Sequence, residues 1–165
     1  MTQLHQIQET VGLRVREITS GHAGWPCRKG CDDCCRQLAE APRVSRPEWR
    51  LIDAALKALP AETAGAVRRR IRKSASAVRP AVCPLLDAES GACLVYEARP
   101  IACRSYGFYA EREYVLGCFR IRAIADERPD VVWGNHAALG SELRLLGEAA
   151  ELAVHIGSDD ADAEY

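Results

Sequence analysis

Four cysteines lie within nine residues of the stretch WPCRKGCDDCC, in the order Cys27-x3-Cys31-x2-Cys34-Cys35. Thiolates bind zinc and iron at about 2.3 Å, usually in near-tetrahedral arrangements. Two cysteines separated by two or three residues can place their sulfurs on one ion with little backbone strain, and Gly30 frees the turn between two of them. The spacing therefore predicts metal binding or redox chemistry in this loop.

The adjacent pair Cys34 and Cys35 complicates such a site. Neighbouring side chains diverge in both helices and strands, so both thiols would meet one ion only if the backbone were distorted. We expect one of the two to bind a second metal ion or to remain a spare thiol.

The other half of the eight cysteines lies in later segments, and all eight are candidate metal ligands. They are Cys27, Cys31, Cys34, Cys35, Cys83, Cys93, Cys103 and Cys118. Eight thiols allow two four-sulfur zinc sites, one iron–sulfur cluster with extra thiols, or a bridged dinuclear centre, and spacing does not choose among these. A set of disulfides is a competing interpretation, and Cys118 alone could be an ordinary buried residue.

Positive charges flank the cysteines. Arg28, Lys29 and Arg36 surround the first group, and Arg104 follows Cys103. Four thiolates around one divalent ion leave a net charge of about −2, which nearby cations stabilise. The basic side chains therefore support a thiolate centre.

Two further features are weaker candidates for chemistry. His22, five residues before Cys27, could act as a base or as a substitute ligand, although a surface histidine without a role competes. The run RRRIRK from Arg68 could contact phosphates, but no aromatic platform or nucleic-acid motif accompanies it, and a solvated helix face is the favoured interpretation. Nucleic acid is thus not an expected partner, and the sequence identifies no catalytic residue.

Helical patterns surround the cysteines. Ser45 and Glu48 form a capping box with Pro47 in the first turn, and Pro60 stops the helix that follows. Apolar spacing predicts three further helices, over residues 2–19, 61–78 and 136–155.

The later cysteines belong to shorter elements. Two brief apolar runs on either side of DAESG predict a hairpin with Cys83 and Cys93 at its arms. Pro100 suits the opening turn of a short helix that carries Cys103. The predicted fold class is therefore mainly α, a small single-domain helical fold with one short β-hairpin and a central cysteine-rich metal site.

Length and charge bound the remaining choices. A chain of 165 residues with net charge −1 suits one domain without a general attraction to nucleic acid or membranes. No apolar run approaches about 20 residues, and the N-terminus lacks an export signal, so we expect a cytoplasmic protein. The predicted segments are an N-terminal amphipathic helix (1–24), a cysteine-cluster metal-binding core (25–120), a C-terminal helical segment (121–157) and a disordered acidic tail (158–165).

Several spaced elements resemble the YkgJ-type cysteine-cluster family. The first cysteine loop is followed by CPLL and then by GACLVYEARPIACRSYG, and the resemblance spans about Cys27 to Cys118. That family is described as a zinc- or iron-chelating domain with a CxxCxxCC motif. The resemblance implies a cytoplasmic bacterial protein with a metal or iron–sulfur centre, without implying one settled activity.

Two functions follow from these observations. The first is a protein that chelates zinc or iron through clustered thiolates, for metal handling or as a structural metal centre. The alternative is an iron–sulfur protein with redox or protein-modifying activity, because a flagellin lysine methylase is similar to this family in its cysteine cluster. The chain shows no glycine-rich adenosylmethionine site, which disfavours methyl transfer. Whether it is an enzyme stays open.

Overall fold

The computed structural model describes residues 2–162, apart from the side chains of residues 159–162, and this part of the chain is mainly helical, as predicted. The α-helices are α1 Gln3–Gly21, α2 Asp33–Arg36, α3 Arg46–Lys57, α4 Ala61–Ser74, α5 Ile101–Ser105, α6 Phe119–Glu127, α7 His136–Arg144 and α8 Leu152–Asp162. A 3-10 helix covers Tyr96–Ala98, and the strands are β1 Arg43–Ser45, β2 Tyr109–Glu111, β3 Tyr114–Val115, β4 Gly134–Asn135 and β5 Ala149–Glu151. Among the helices in residues 2–162, none has both the length and the apolar character needed to cross a membrane.

Helix α1 confirms the helix predicted over residues 2–19. Thr2 caps it, because its side-chain oxygen accepts a hydrogen bond from the backbone N–H of His5 at 3.3 Å. One face of the helix is apolar, and its buried residues are Leu4, Ile7, Val11 and Ile18. This face packs over the centre of the molecule.

The first of two core clusters is built around α3, α4 and α8. Helix α3 begins with the predicted capping box, because Glu48 Oε2 accepts hydrogen bonds from the N–H and the Oγ–H of Ser45 at 2.8 and 2.7 Å. The buried residues of this cluster are Val44, Trp49, Ile52, Leu56, Val67, Ile71, Cys83, Leu85, Leu86, Val95, Leu152 and Ile156.

Helix α4 is shorter than the helix predicted over residues 61–78. Val67 and Ile71 are buried, but the helix ends at Ser74 and Val78 is 89% exposed. Ser74 Oγ donates to the carbonyl of Ile71 at 2.7 Å, so a side chain occupies one of the last helical acceptors. The apolar pattern beyond this point does not mark a buried face.

The second core cluster lies between α1, α5, α6 and α7. Trp25 stacks on Phe108 with ring centroids 5.8 Å apart. The buried residues of the cluster are Leu4, Ile7, Val11, Ile18, Trp25, Ile101, Phe108, Tyr109, Ile121, Val131 and Leu139. Cysteines pack against both clusters: Cys35 and Cys93 against the first, and Cys27 and Cys118 against the second.

The strands form two small sheets within residues 2–162. Strand β1 pairs antiparallel with β5, while β2 lies between β3 and β4, antiparallel to β3 and parallel to β4. The hairpin predicted at DAESG is only a turn closed by one isolated bridge between Leu86 and Cys93. Asp87 accepts hydrogen bonds from Glu89 N–H and Ser90 Oγ, so the turn chemistry is as predicted. The arms are too short to form strands, and the hairpin of this fold is instead β2–β3.

The helix predicted over residues 136–155 is divided into α7 and α8. Gly147 has φ +98°, a left-handed conformation that ends a helix at little cost only for glycine. The chain then forms β5, whose Glu151 pairs with Arg43 of β1, before α8 begins. Helix α8 continues to Asp162, inside the range predicted to be a disordered tail, and residues 163–165 lie outside the described part of the chain.

Candidate metal centre

The cysteine loop is shaped by one glycine and one short helix. Gly30 has φ +87°, and the N–H of Cys31 donates to the carbonyl of Arg28 at 3.0 Å, which closes a turn between Cys27 and Cys31. The single turn of α2 then carries Cys34 and Cys35. The predicted role of the glycine in this turn is confirmed.

The later cysteines reach the same region from four separate segments. The N–H of Cys83 donates to the carbonyl of Cys35 at 2.7 Å. The isolated bridge between Leu86 and Cys93 places Cys93 beside the segment that follows Cys83. Cys103 lies on α5, the predicted short helix after Pro100, and Cys118 is the N-cap residue of α6. Parts of the chain far apart in sequence thus meet around the first loop.

Four thiols share one cavity of about 150 Å³. Its cysteine wall is formed by Cys27, Cys31, Cys34 and Cys103, with the aromatic rings of Tyr96, Tyr106 and Phe108 beside them. Helix α1 closes the cavity on another side with Val11, Gly12 and Val15. The cavity therefore combines donors from the first loop and from α5 under an apolar cover.

The sulfurs of Cys34 and Cys35 lie 3.9 Å apart. Their divergence, which the sequence predicts from adjacent positions, is therefore absent at the sulfur atoms. The sulfur stands one bond beyond Cβ, so rotation about χ1 brings the two atoms together without a distorted backbone. Thiolates at about 2.3 Å from one tetrahedral ion are about 3.8 Å from each other, and the observed separation fits ligands of a common centre.

Burial and mutual repulsion make these thiols hard to ionise in the metal-free protein. Burial, followed by the charge of Cys118 and then of Cys31 and Cys34, raises the pKa of Cys27 to about 12. Burial, followed by the charges of Cys35, Cys34 and Cys93, raises the pKa of Cys103 to about 12. A metal ion that accepts thiolates would reverse this preference, because it stabilises the charged form.

The adjacent pair shows the same effect. A hydrogen bond from Cys34 lowers the pKa of Cys35, but a hydrogen bond with Cys83 together with burial and the charges of Cys83 and Cys93 outweighs it, and the pKa rises to about 12. The pKa of Cys34 is raised, first by its hydrogen bond with Cys35 and then by burial. Cys34 therefore interacts with thiols on both sides: with Cys27 in the loop, and with Cys35, Cys93 and Cys103.

Three guanidinium groups line the same cavity, those of Arg28, Arg99 and Arg104. None of the three is paired with a carboxylate among the described residues. Burial and then the charge of Arg99 lower the pKa of Arg104. Cations gathered without acidic partners beside thiols suit a centre that carries net negative charge.

Two of these arginine side chains, Arg99 and Arg104, are held in place by backbone carbonyls. Arg99 Nε donates to the carbonyl of Tyr96 at 2.9 Å, and its guanidinium stacks 3.5 Å from the centroid of the Tyr96 ring. Arg104 Nε donates to the carbonyl of Arg99 at 2.8 Å, and its Nη2 donates to the carbonyl of Glu97. The cations are therefore fixed at the cavity wall.

The other charged residues that the sequence analysis singled out make contacts away from the cysteine sulfurs or with other side chains. Arg36 pairs with Asp32 at 2.6 Å, and Lys29 lies 5.5 Å from the centroid of the Tyr96 ring. His22 Nδ1 accepts a hydrogen bond from Arg128 Nη1 at 2.9 Å. Within the RRRIRK run, Arg68 pairs with Asp53.

Two positioning contacts could not be found from the sequence. Gly107, with φ +86°, lies so close to Cys27 that a Cβ added there would overlap the sulfur. Glu48 Oε1 accepts a hydrogen bond at 2.9 Å from the N–H of Ile101, the first residue of α5. These contacts join segments that are distant along the chain, so no local pattern marks them.

The side chains of the donor set are free thiols that do not form a compact ligand group among the described residues. All eight cysteines are free thiols. Among the described residues, no three Cys, His, Asp or Glu side chains are arranged closely enough to hold a metal ion. The soft thiol donors at one cavity and the adjacent cations fit zinc or iron, and holding an ion requires the sulfurs to move closer together.

Comparison with known families supports metal binding. Residues 26–120 match the family described as "CxxCxxCC: Putative zinc- or iron-chelating domain". This range contains all eight cysteines and excludes α1, α7 and α8. No curated protein and no solved structure matches the chain.

Proposed function

We propose that this chain, which belongs to the CxxCxxCC family of zinc- or iron-chelating domains, holds zinc or iron in thiolate coordination and serves in metal handling or as a structural metal centre. The ligands are drawn from the eight cysteines, and the cysteines that line the cavity are the central ligands. Bound in this way, zinc supplies folding free energy, and iron can also supply electron transfer.

One observation carries this proposal. A single cavity brings together thiols from the first loop and from α5 with three guanidinium groups that have no carboxylate partner among the described residues. Arg99 and Arg104 are partly buried, and partly buried cations without a carboxylate partner are stabilised by negative charge placed beside them. Thiolates bound to a metal ion would provide that charge.

The surrounding residues have separate tasks. Val11 and Val15 of α1 exclude water from one side of the cavity. Glu48 anchors the first residue of α5 and so holds the helix that carries Cys103. Arg99 and Arg104 neutralise charge at the sulfurs, a role that second-shell cations and donors commonly have at metal sites.

Purification without oxygen, followed by elemental analysis and an assay for acid-labile sulfide, tests the proposal. We expect zinc or iron in the wild-type protein, and much less of it after Cys31→Ser. Val78→Ser is the matched control, because Val78 is exposed in the turn after α4 and belongs neither to the core clusters nor to the cavity lining. Zinc without sulfide would identify a zinc–thiolate protein, and iron with sulfide an iron–sulfur protein. Equal metal content in wild type and Cys31→Ser would contradict the assigned site.

A further inference from the structure

We infer that the thiols form two adjacent metal sites that share the sulfur of Cys34, and that Cys83 is not a ligand. This inference rests on the proposed function. The first site consists of Cys27, Cys31, Cys118 and the shared Cys34. The second consists of the shared Cys34 with Cys35, Cys93 and Cys103.

The two core clusters divide the cysteines in this way. Cys27 and Cys118 pack against the second cluster, with α1 and α6, whereas Cys35 and Cys93 pack against the first, with α3, α4 and α8. Cys27 and Cys118 of the first set are therefore anchored on one half of the molecule, and Cys35 and Cys93 of the second set on the other half. Metal ions bound to both sets would connect the two halves.

Cys34 lies at the boundary between the sets. It lines the cavity with Cys27 and Cys31 of the first set and with Cys103 of the second. Its sulfur is also 3.9 Å from that of Cys35. Thiolate sulfur has more than one lone pair and can bind two ions, so a sulfur in this position is suited to bridging.

Cys83 differs from the other thiols in its surroundings. It is a member of the buried first core and only 7% exposed, whereas each of the other seven cysteines is partly exposed. Its backbone N–H donates to the carbonyl of Cys35, and its thiol interacts with that of Cys35. Cys83 therefore positions the ligand Cys35 through hydrogen bonding and packing, without binding the ion itself.

Titration of the reduced, metal-free protein with Co²⁺ tests the sharing directly. We expect two Co²⁺ ions per chain, and a paramagnetic resonance signal per ion that is weaker in the fully loaded protein than in the half-loaded protein, because a shared thiolate couples the two ions. Cys27→Ala and Cys103→Ala should each lose one ion, and the double variant should lose both. Cys27→Ala with Cys118→Ala should lose only one, because both residues belong to the same site.

Cys83→Ala and Cys93→Ala form a matched pair, because both side chains pack on the first core. We expect Cys83→Ala to keep both ions and their coupling, and Cys93→Ala to lose one ion. Two uncoupled ions, or loss of an ion in Cys83→Ala, would overturn the shared arrangement in favour of separate sites. Loss of all metal in every single variant would indicate one cluster and would also overturn it.

The wild-type titration does not depend on the folding of any variant, and it distinguishes failure of this inference from failure of the proposed function. Because the coupling is measured in the unaltered chain, a variant that fails to fold does not remove the test. If the wild-type protein bound no Co²⁺ through sulfur, the proposed function itself would fail. If it bound one ion only, the proposed function would stand and the sharing of Cys34 would be wrong.

Discussion

Substitution of Gly107 by alanine should damage the metal centre through Cys27. Gly107 has φ +86°, and an added Cβ would overlap Cys27 Sγ and lie 3.6 Å from Cys27 Cβ. The sulfur must therefore move away from the cavity that it lines. A thiol displaced by a fraction of an ångström or more no longer meets an ion at the short distance that zinc and iron require.

The magnitude has two separable parts. The left-handed backbone conformation itself costs a residue with a side chain about 1–2 kcal/mol. Overpacking against the Cys27 sulfur adds about 1–3 kcal/mol. We expect Gly107→Ala to lower the free energy of unfolding of the metal-free protein by the sum, about 2–5 kcal/mol.

Gly30 provides a matched control. Its φ is +87°, nearly the same as at Gly107, but a Cβ added there meets nothing within 4 Å. Gly30→Ala should therefore show only the backbone cost of about 1–2 kcal/mol and should retain more bound metal than Gly107→Ala. The difference between the two variants isolates the contact with Cys27.

Urea unfolding of both reduced, metal-free variants, followed by competition for Zn²⁺ with a chelator, measures the two parts. Equal unfolding free energies and equal zinc affinities in Gly107→Ala and Gly30→Ala would refute the reasoning. That result would mean that the Cys27 sulfur neither lies against Gly107 nor binds the ion.

Three further predictions concern a ligand, an anchor and the effect of pH. Cys31→Ser should lower bound metal and the melting temperature of the loaded protein together, whereas lower stability with unchanged metal content, by elemental analysis and calorimetry, would contradict its role as a ligand. Glu48→Ala should destabilise the protein by about 3 kcal/mol in urea unfolding, because the N–H groups of Ser45 and Ile101 lose a buried acceptor. A loss of unfolding free energy below about 1 kcal/mol would contradict the role of Glu48 as the anchor of α5. Because the pKa of Cys27 is raised to about 12 from an ordinary value of 9.0, the stability that its protonated thiol contributes to the metal-free reduced protein is fully present below pH 9 and is lost as the pH rises from 9 to 12. Metal-loaded protein should lose less over this range, and parallel urea midpoints for the two forms at pH 7.5 and 10 would speak against thiolate ligation.

Much of the local structure can be predicted from the sequence because its signals are local. The capping box of Ser45 and Glu48 marks the start of α3, and Pro100 marks the start of α5. The spacing of Cys27 and Cys31 around Gly30 predicts a tight turn of thiols, which the structure contains. Each of these features depends on neighbours within about four residues.

The elements that could not be predicted depend on distant contacts. The apolar pattern of residues 136–155 is continuous, but β5 pairs with β1 about a hundred residues earlier and divides the helix. Tertiary pairing can override local propensity in this way, and Gly147 is the only local sign of it that we identify.

The arrangement of the thiols in the site also depends on contacts between distant parts of the chain. The sequence gives eight candidate thiols and a choice of two sites, one cluster or a bridged centre. The division of the thiols between two core clusters follows from how α1 and α6 pack on one side and α3 and α4 on the other. Likewise, the closeness of Cys34 and Cys35 depends on side-chain rotation, which sequence position does not fix.

X-ray absorption spectroscopy of the metal ion in protein purified without oxygen tests the central claim most directly. Convergent cysteines predict a coordination shell made of sulfur alone, at about 2.3 Å from the ion, as in thiolate sites. A shell of nitrogen or oxygen ligands would contradict this account, and so would metal-free protein whose cysteines are joined in disulfides.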